Sequence, residues 1–138
     1  MIGITQIWER LFLGSLYDAE RLGRANPLGL TTVVSLSATA PCNTRPEINY
    51  IHLHVEDAKE IPVDQFTAVM SAIAENIRRG KVLIHCGSGI SRAPVIVSAY
   101  LHLVGYADFD TALEEIAELR PIVAPSAILL ASVKEHLQ

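Results

Sequence analysis

Val82-Leu83-Ile84-His85-Cys86-Gly87-Ser88-Gly89-Ile90-Ser91-Arg92 reads as a buried strand running directly into a polar loop that carries two glycines. Val82 to His85 is a short β-rich run suited to a central strand covered on both faces. The apolar stretch from about Ala93 to Leu103 suits a buried helix. A loop that leaves such a strand and opens a helix gathers successive backbone N–H groups at the positive end of the helix dipole. Working outward, Leu11-Phe12-Leu13 and Thr31 to Leu36 read as further strands, and Tyr50 to Val55 alternates apolar and polar side chains as a half-buried strand does. Leu16, Ala19 and Leu22 recur at helical spacing, as do Phe66, Val69, Met70, Ile73 and Ile77 between Pro62 and Gly80. Asp110 is placed to cap a helix reaching Leu119, and Ile128, Leu129, Val133 and Leu137 line a last one. Strands and helices interleave. The expected fold is α/β: a central, mostly parallel sheet flanked by helices, with an anion-binding loop between a central strand and a helix.

The chain has 138 residues, half of them hydrophobic and 19% charged, a balance that fits one packed domain over residues 1–138 rather than disorder. A net charge of -4 supplies no general attraction for nucleic acid or an anionic membrane, so any anion must be held locally. Cys42 and Cys86, the only cysteines, form neither a disulfide framework nor a metal-ligand spacing, which suits a reducing compartment such as the cytoplasm. Met1 to Gln6 shows no basic segment followed by an apolar run, so no secretory signal is read there. The apolar stretch from Pro94 to Gly105 is too short and too interrupted to span a bilayer. His52 and His54 share a strand face, but no further ligand cluster accompanies them, and no metal or cofactor is expected.

The Cys86 to Arg92 spacing alone is weak, since chance gives roughly one such pair in nine chains of this composition. Its setting supplies the meaning. Gly87 and Gly89 lack a Cβ, so an anion can approach the backbone closely, and Ser88, Ile90 and Ser91 complete an uncharged cradle. Amide dipoles, a helix N-terminus and a guanidinium all favour a thiolate at Cys86. Arg92 offers a planar fork that grips two phosphoryl oxygens together, which lysine cannot do.

Residues 85 to 92 satisfy the His-Cys-x-x-Gly-x-x-Arg signature and resemble the cysteine-based protein tyrosine phosphatases, in particular the small dual-specificity phosphatases. The resemblance extends through Leu11 to Ser15, Thr31 to Leu36, Tyr50 to Asp57 and Arg120-Pro121 to Pro125, nearly the whole chain. It implies attack by Cys86 on a phosphoester, a phosphocysteine intermediate, and Arg92 with Gly87, Ser88, Gly89, Ile90 and Ser91 around the phosphoryl group. It also implies that Ser91 hydrogen-bonds the Cys86 sulfur and eases its departure, while His85 supports the loop from within. An alternative task for Ser91 is capping the following helix.

Expulsion of an alkoxide needs a proton donor from elsewhere in the chain. Asp57 matches the family's acid and follows a strand expected to end beside the Val82–His85 strand. Glu56 and Glu60 are the neighbouring competitors; Glu56 points to the opposite side if the strand alternation persists, and Glu60 lies further along the loop. The resemblance implies a phosphorylated protein or peptide as substrate, on tyrosine and on serine or threonine; a monomer with no nucleic acid or membrane partner is expected. Two other classes share parts of the pattern: a phospho-binding module without turnover, and a rhodanese-like sulfur transferase, which also sets a thiolate in an amide-lined loop.

Overall fold

The computed structural model describes residues 3–138; Met1 and Ile2, where the signal reading begins, lie outside the described residues. Five strands, β1 (Thr5–Trp8), β2 (Leu11–Ser15), β3 (Leu30–Ser35), β4 (Asn49–His52) and β5 (Lys81–Cys86), form one sheet in the order β1-β2-β5-β3-β4. β5 lies at the centre, parallel to β2 on one side and to β3 on the other; β3 pairs in parallel with β4, and β1 is antiparallel to β2. The sheet is therefore mostly parallel, as expected, with an antiparallel edge that the sequence reading missed.

Side-chain alternation on the central strands assigns the two faces. Leu11, Leu13, Val34, Val82, Ile84 and Cys86 face a large core, whereas Phe12, Val33 and Leu83 face a smaller one. The large core is roofed by α2 (Val63–Ile77), α3 (Arg92–Leu103), α4 (Phe109–Leu119) and α5 (Ala127–His136). The smaller face is covered by α1 (Leu16–Leu22) through Ala19 and Leu22. Each large apolar side chain buried in this way contributes about 1.5–3 kcal/mol of hydrophobic stabilisation before entropy is counted.

The caps place the chain around the site. Ser15 and Asp18 form a reciprocal capping box on α1, and Leu16 N–H donates to the Gly87 carbonyl at 3.0 Å, tying that helix start to the loop after β5. Two expectations are corrected here. Asp108, not Asp110, caps α4 by accepting from Thr111 N–H, while Asp110 pairs with Lys134 across the helices. The strand expected from Tyr50 to Val55 is shorter and begins earlier, at Asn49, so His52 and His54 share no strand face. Leu53 and Val55 still donate their N–H groups to Ser35 and Leu36 carbonyls, which carries the chain to the C-terminal edge of the sheet before it turns. No helix among the described residues is long and apolar enough to cross a membrane.

Candidate active site

Cys86 ends β5 with its side chain in the large core, almost wholly buried, and residues 87–91 form the loop that leads into α3. Five consecutive carbonyls of this segment are drawn away by donors outside it. The ring of His85 bonds the Cys86 carbonyl at 3.2 Å, Leu16 N–H takes the Gly87 carbonyl, and Ala124 N–H takes that of Ile90 at 2.9 Å. Arg120 bonds the other two, through Nη2 to Ser88 at 3.4 Å and Nε to Gly89 at 3.0 Å. In a trans peptide the N–H of the next residue points opposite to the carbonyl. The N–H groups of residues 87–91 therefore turn the other way, and none of them donates to an acceptor among the described residues. The result is an amide nest in the loop that follows the thiol.

Gly89 makes the turn possible. Its φ of 72° lies in the left-handed region, and a Cβ there would sit 2.6 Å from Arg120 Nη2 and 2.8 Å from the Gly14 carbonyl oxygen. Arg92 lies along the loop, half-buried, its Nη2 only 3.3 Å from where a Gly87 Cβ would stand. Its Nη1 donates to the Val55 carbonyl at 3.1 Å, which fixes the guanidinium plane from the side of the Asp57 loop. The thiol accepts from the Ala93 N–H at 3.4 Å, the first turn of α3 aiming a donor at the sulfur.

His85 is fully buried. A carbonyl only accepts, so Nδ1 carries the hydrogen toward Cys86, and Nε2 takes the Ser35 hydroxyl at 2.7 Å. Burial pushes this imidazole below its ordinary basicity, opposed by the Cys86 backbone hydrogen bond and reinforced by the charges of His52 and Arg92. Its ring thus lies inside the loop, tied to the Cys86 backbone and to Ser35.

The structure brings Asp57 to the loop and leaves its competitors outside. The Asp57 Oδ1 accepts a hydrogen bond from the Ser91 hydroxyl at 2.8 Å, while Glu56 pairs with Lys59 at 3.4 Å and Glu60 stays exposed. This corrects the expectation for Ser91, whose hydroxyl donates to the carboxylate and makes no hydrogen bond with the Cys86 sulfur among the described residues. Nor does it cap α3, for no side-chain cap bond forms there.

Arg120 was singled out in the sequence only as part of a late segment. It is the largest fully buried side chain, and besides the two loop carbonyls its Nη1 reaches the Gly3 carbonyl at 2.7 Å and the Thr5 hydroxyl at 2.9 Å. Burial lowers its pKa, while the nearby Asp18 and Cys86 favour the charged form; a guanidinium remains protonated in either case. The one sequence signal for it is a cation closing an acidic helix just before Pro121.

A buried thiol followed by an amide nest, with an arginine at the rim and a carboxylate on a separate loop, defines the cysteine-dependent phosphatase class of site. The dual specificity phosphatase catalytic domain model matches residues 11–138, and the chain belongs to that family. It is 30% identical over 126 residues to human dual specificity protein phosphatase 1, a match covering 90% of this chain and 34% of that protein. The chain thus spans about a third of the length of the curated relatives it matches. Among solved structures, DUSP15 superposes with a TM-score of 0.81 at 28% identity, covering 98% of this chain and 85% of the other. The human tyrosine phosphatase-like serine/threonine/tyrosine-interacting protein superposes with a TM-score of 0.85 at 25% identity, covering 97% and 95%.

Proposed function

We propose that this chain is a single catalytic domain that hydrolyses phosphotyrosine and phosphoserine or phosphothreonine monoesters in proteins or peptides through a phosphocysteine intermediate. The observation that carries the reading is the set of N–H groups at residues 87–91, unpaired among the described residues, in the loop that follows Cys86, with Arg92 held beside them. Three equatorial phosphoryl oxygens need that many fixed donors, and the loop supplies them without reorganisation. Cys86 attacks phosphorus, Arg92 grips two oxygens, Asp57 protonates the leaving oxygen and then takes a proton from the attacking water. Residues 87–91 are uncharged, which favours a monoester over a substrate bearing several phosphates. Two free cysteines, one of them exposed, suit action in a reducing compartment such as the cytoplasm.

Cys86, Arg92 and Asp57 are all present, which favours turnover over binding alone. The test is hydrolysis of an aryl phosphate in the presence of chelator, with thiosulfate as the rival substrate for sulfur transfer. Turnover of the phosphate that persists with chelator and disappears in Cys86→Ser and Arg92→Lys is expected. Full turnover by Cys86→Ser, or sulfur transfer from thiosulfate without phosphatase activity, contradicts the reading.

A further inference from the structure

We infer that Ser91 is the positioning residue of the proton donor: it selects which oxygen of Asp57 carries the proton and latches the Asp57 loop onto the phosphate loop. The inference rests on the reading of Asp57 as the acid. Its geometry is a chain of two hydrogen bonds across three segments. Ser126 N–H donates to Ser91 Oγ at 2.9 Å, and Ser91 Oγ–H donates to Asp57 Oδ1 at 2.8 Å. A hydroxyl has one hydrogen, and the amide of Ser126 occupies the lone-pair side, so that hydrogen is committed to Asp57. Ser91 is nearly buried and cannot swing to solvent without leaving the Ser126 N–H unpaired.

An oxygen that accepts this bond is the unprotonated one. The acid proton therefore sits on Oδ2, the oxygen left free to meet the leaving group. As the Cys86 sulfur–phosphorus bond forms and the phosphorus–ester oxygen bond breaks, the Oδ2 proton passes to the departing oxygen. In the second step water attacks phosphorus, its proton returns to Oδ2, and the sulfur leaves as thiolate.

The latch matters because little else holds this loop. Among the described residues, the Ser91–Asp57 bond is the only hydrogen bond that ties residues 56–60 to the rest of the protein. The Glu56–Lys59 pair lies within the loop. The surrounding anchors sit at its ends: Arg92 on the Val55 carbonyl, and Ser132 Oγ receiving the Ile61 N–H at 2.9 Å. Asp57 itself is exposed, so without Ser91 its carboxyl samples many positions.

The test compares kcat/KM for phenyl phosphate, whose leaving group needs a proton, with difluoromethylumbelliferyl phosphate, whose acidic leaving group does not. The ratio of the two is independent of the fraction of folded enzyme in a preparation. Ser91→Ala is expected to lower the ratio of phenyl phosphate to fluorinated-ester turnover about tenfold. Asp57→Asn should lose about 10²-fold on phenyl phosphate, and Asp57→Asn/Ser91→Ala no more than that, because Ser91 acts through Asp57. Ser91→Gly removes the same hydroxyl at a helix N-cap that tolerates glycine, and should reproduce the Ser91→Ala ratio. A wild-type ratio in Ser91→Ala or Ser91→Gly, or an equal fall on both esters, overturns the inference while a selective loss in Asp57→Asn leaves the acid in place. If Asp57→Asn itself shows no selective loss, the acid assignment fails and the positioning role fails with it.

Discussion

The two loops that meet at this site are built in opposite ways. Residues 86–90 have every carbonyl engaged by a donor from outside the segment, a buried guanidinium behind them and a glycine in the one conformation that closes the turn. Residues 56–60 are exposed, contain a non-glycine residue, Ala58, at φ 55°, and among the described residues reach the rest of the protein through one hydrogen bond. The first is built as a fixed cradle, and the second carries Asp57, the acid of the proposed reaction, on a loosely tied segment. Phosphoryl transfer asks for this division: charge stabilisation works best when the donors need no reorganisation, whereas the acid must let ester in and alcohol out. Disturbing the cradle should therefore cost stability and anion binding together, and disturbing the acid loop should change rates with little change in stability.

The sharpest way to break that contrast is Gly89→Ala. A left-handed alanine costs about 1–2 kcal/mol, and its Cβ would meet the Gly14 carbonyl and Arg120, so the expected loss is about 3 kcal/mol with loss of vanadate binding. Denaturant midpoints and vanadate titration check it. Arg120→Met strands three carbonyls and the Thr5 hydroxyl and should cost about 2–3 kcal/mol, read in the same way, with weakened vanadate binding although Arg120 need not touch the anion.

A smaller effect comes from His85. Burial holds it neutral, with its pKa below the ordinary value near 6.5, so on acidification the unfolded chain takes up a proton that the native protein refuses. Its contribution is indifferent to pH above about 6.5 and erodes stability below it, by up to about 1.4 kcal/mol per pH unit. Unfolding measured at pH 7.5 and 5.5 should show the decline in the wild type and a shallower one in His85→Asn. The smallest effect is expected from Ala58→Gly, which relieves the left-handed strain and returns backbone entropy to the unfolded chain, a net gain below about 1 kcal/mol. A loss above that would mean the acid loop is packed more firmly than its hydrogen bonds suggest.

The strand–loop–helix unit around Cys86 was legible because its signals are local: an apolar run, two glycines and a second apolar run in direct succession. The place of Asp57 beside the Cys86 loop was legible because strand order in an α/β sheet carries parallel strand ends to one edge. β1 was not, for Thr5–Trp8 is a half-exposed edge strand whose pairing with β2 depends on a short turn rather than on a pattern of its own. Ser91 and Arg120 were misjudged or missed for a shared reason. What each side chain does is decided by partners far along the chain, Asp57 and Ser126 for one, Gly3, Thr5, Ser88 and Gly89 for the other. Asp110 lost its expected capping role to Asp108 by two residues, the usual uncertainty of a helix start.

The account stands on Cys86 as the nucleophile before the amide nest. The most direct measurement is rapid acid quenching of the enzyme during turnover of an aryl phosphate, followed by peptide mass spectrometry. A phosphoryl group on the Cys86 peptide, absent in Cys86→Ser, is the predicted result; steady turnover with Cys86 unmodified and the phosphoryl group carried elsewhere would contradict it.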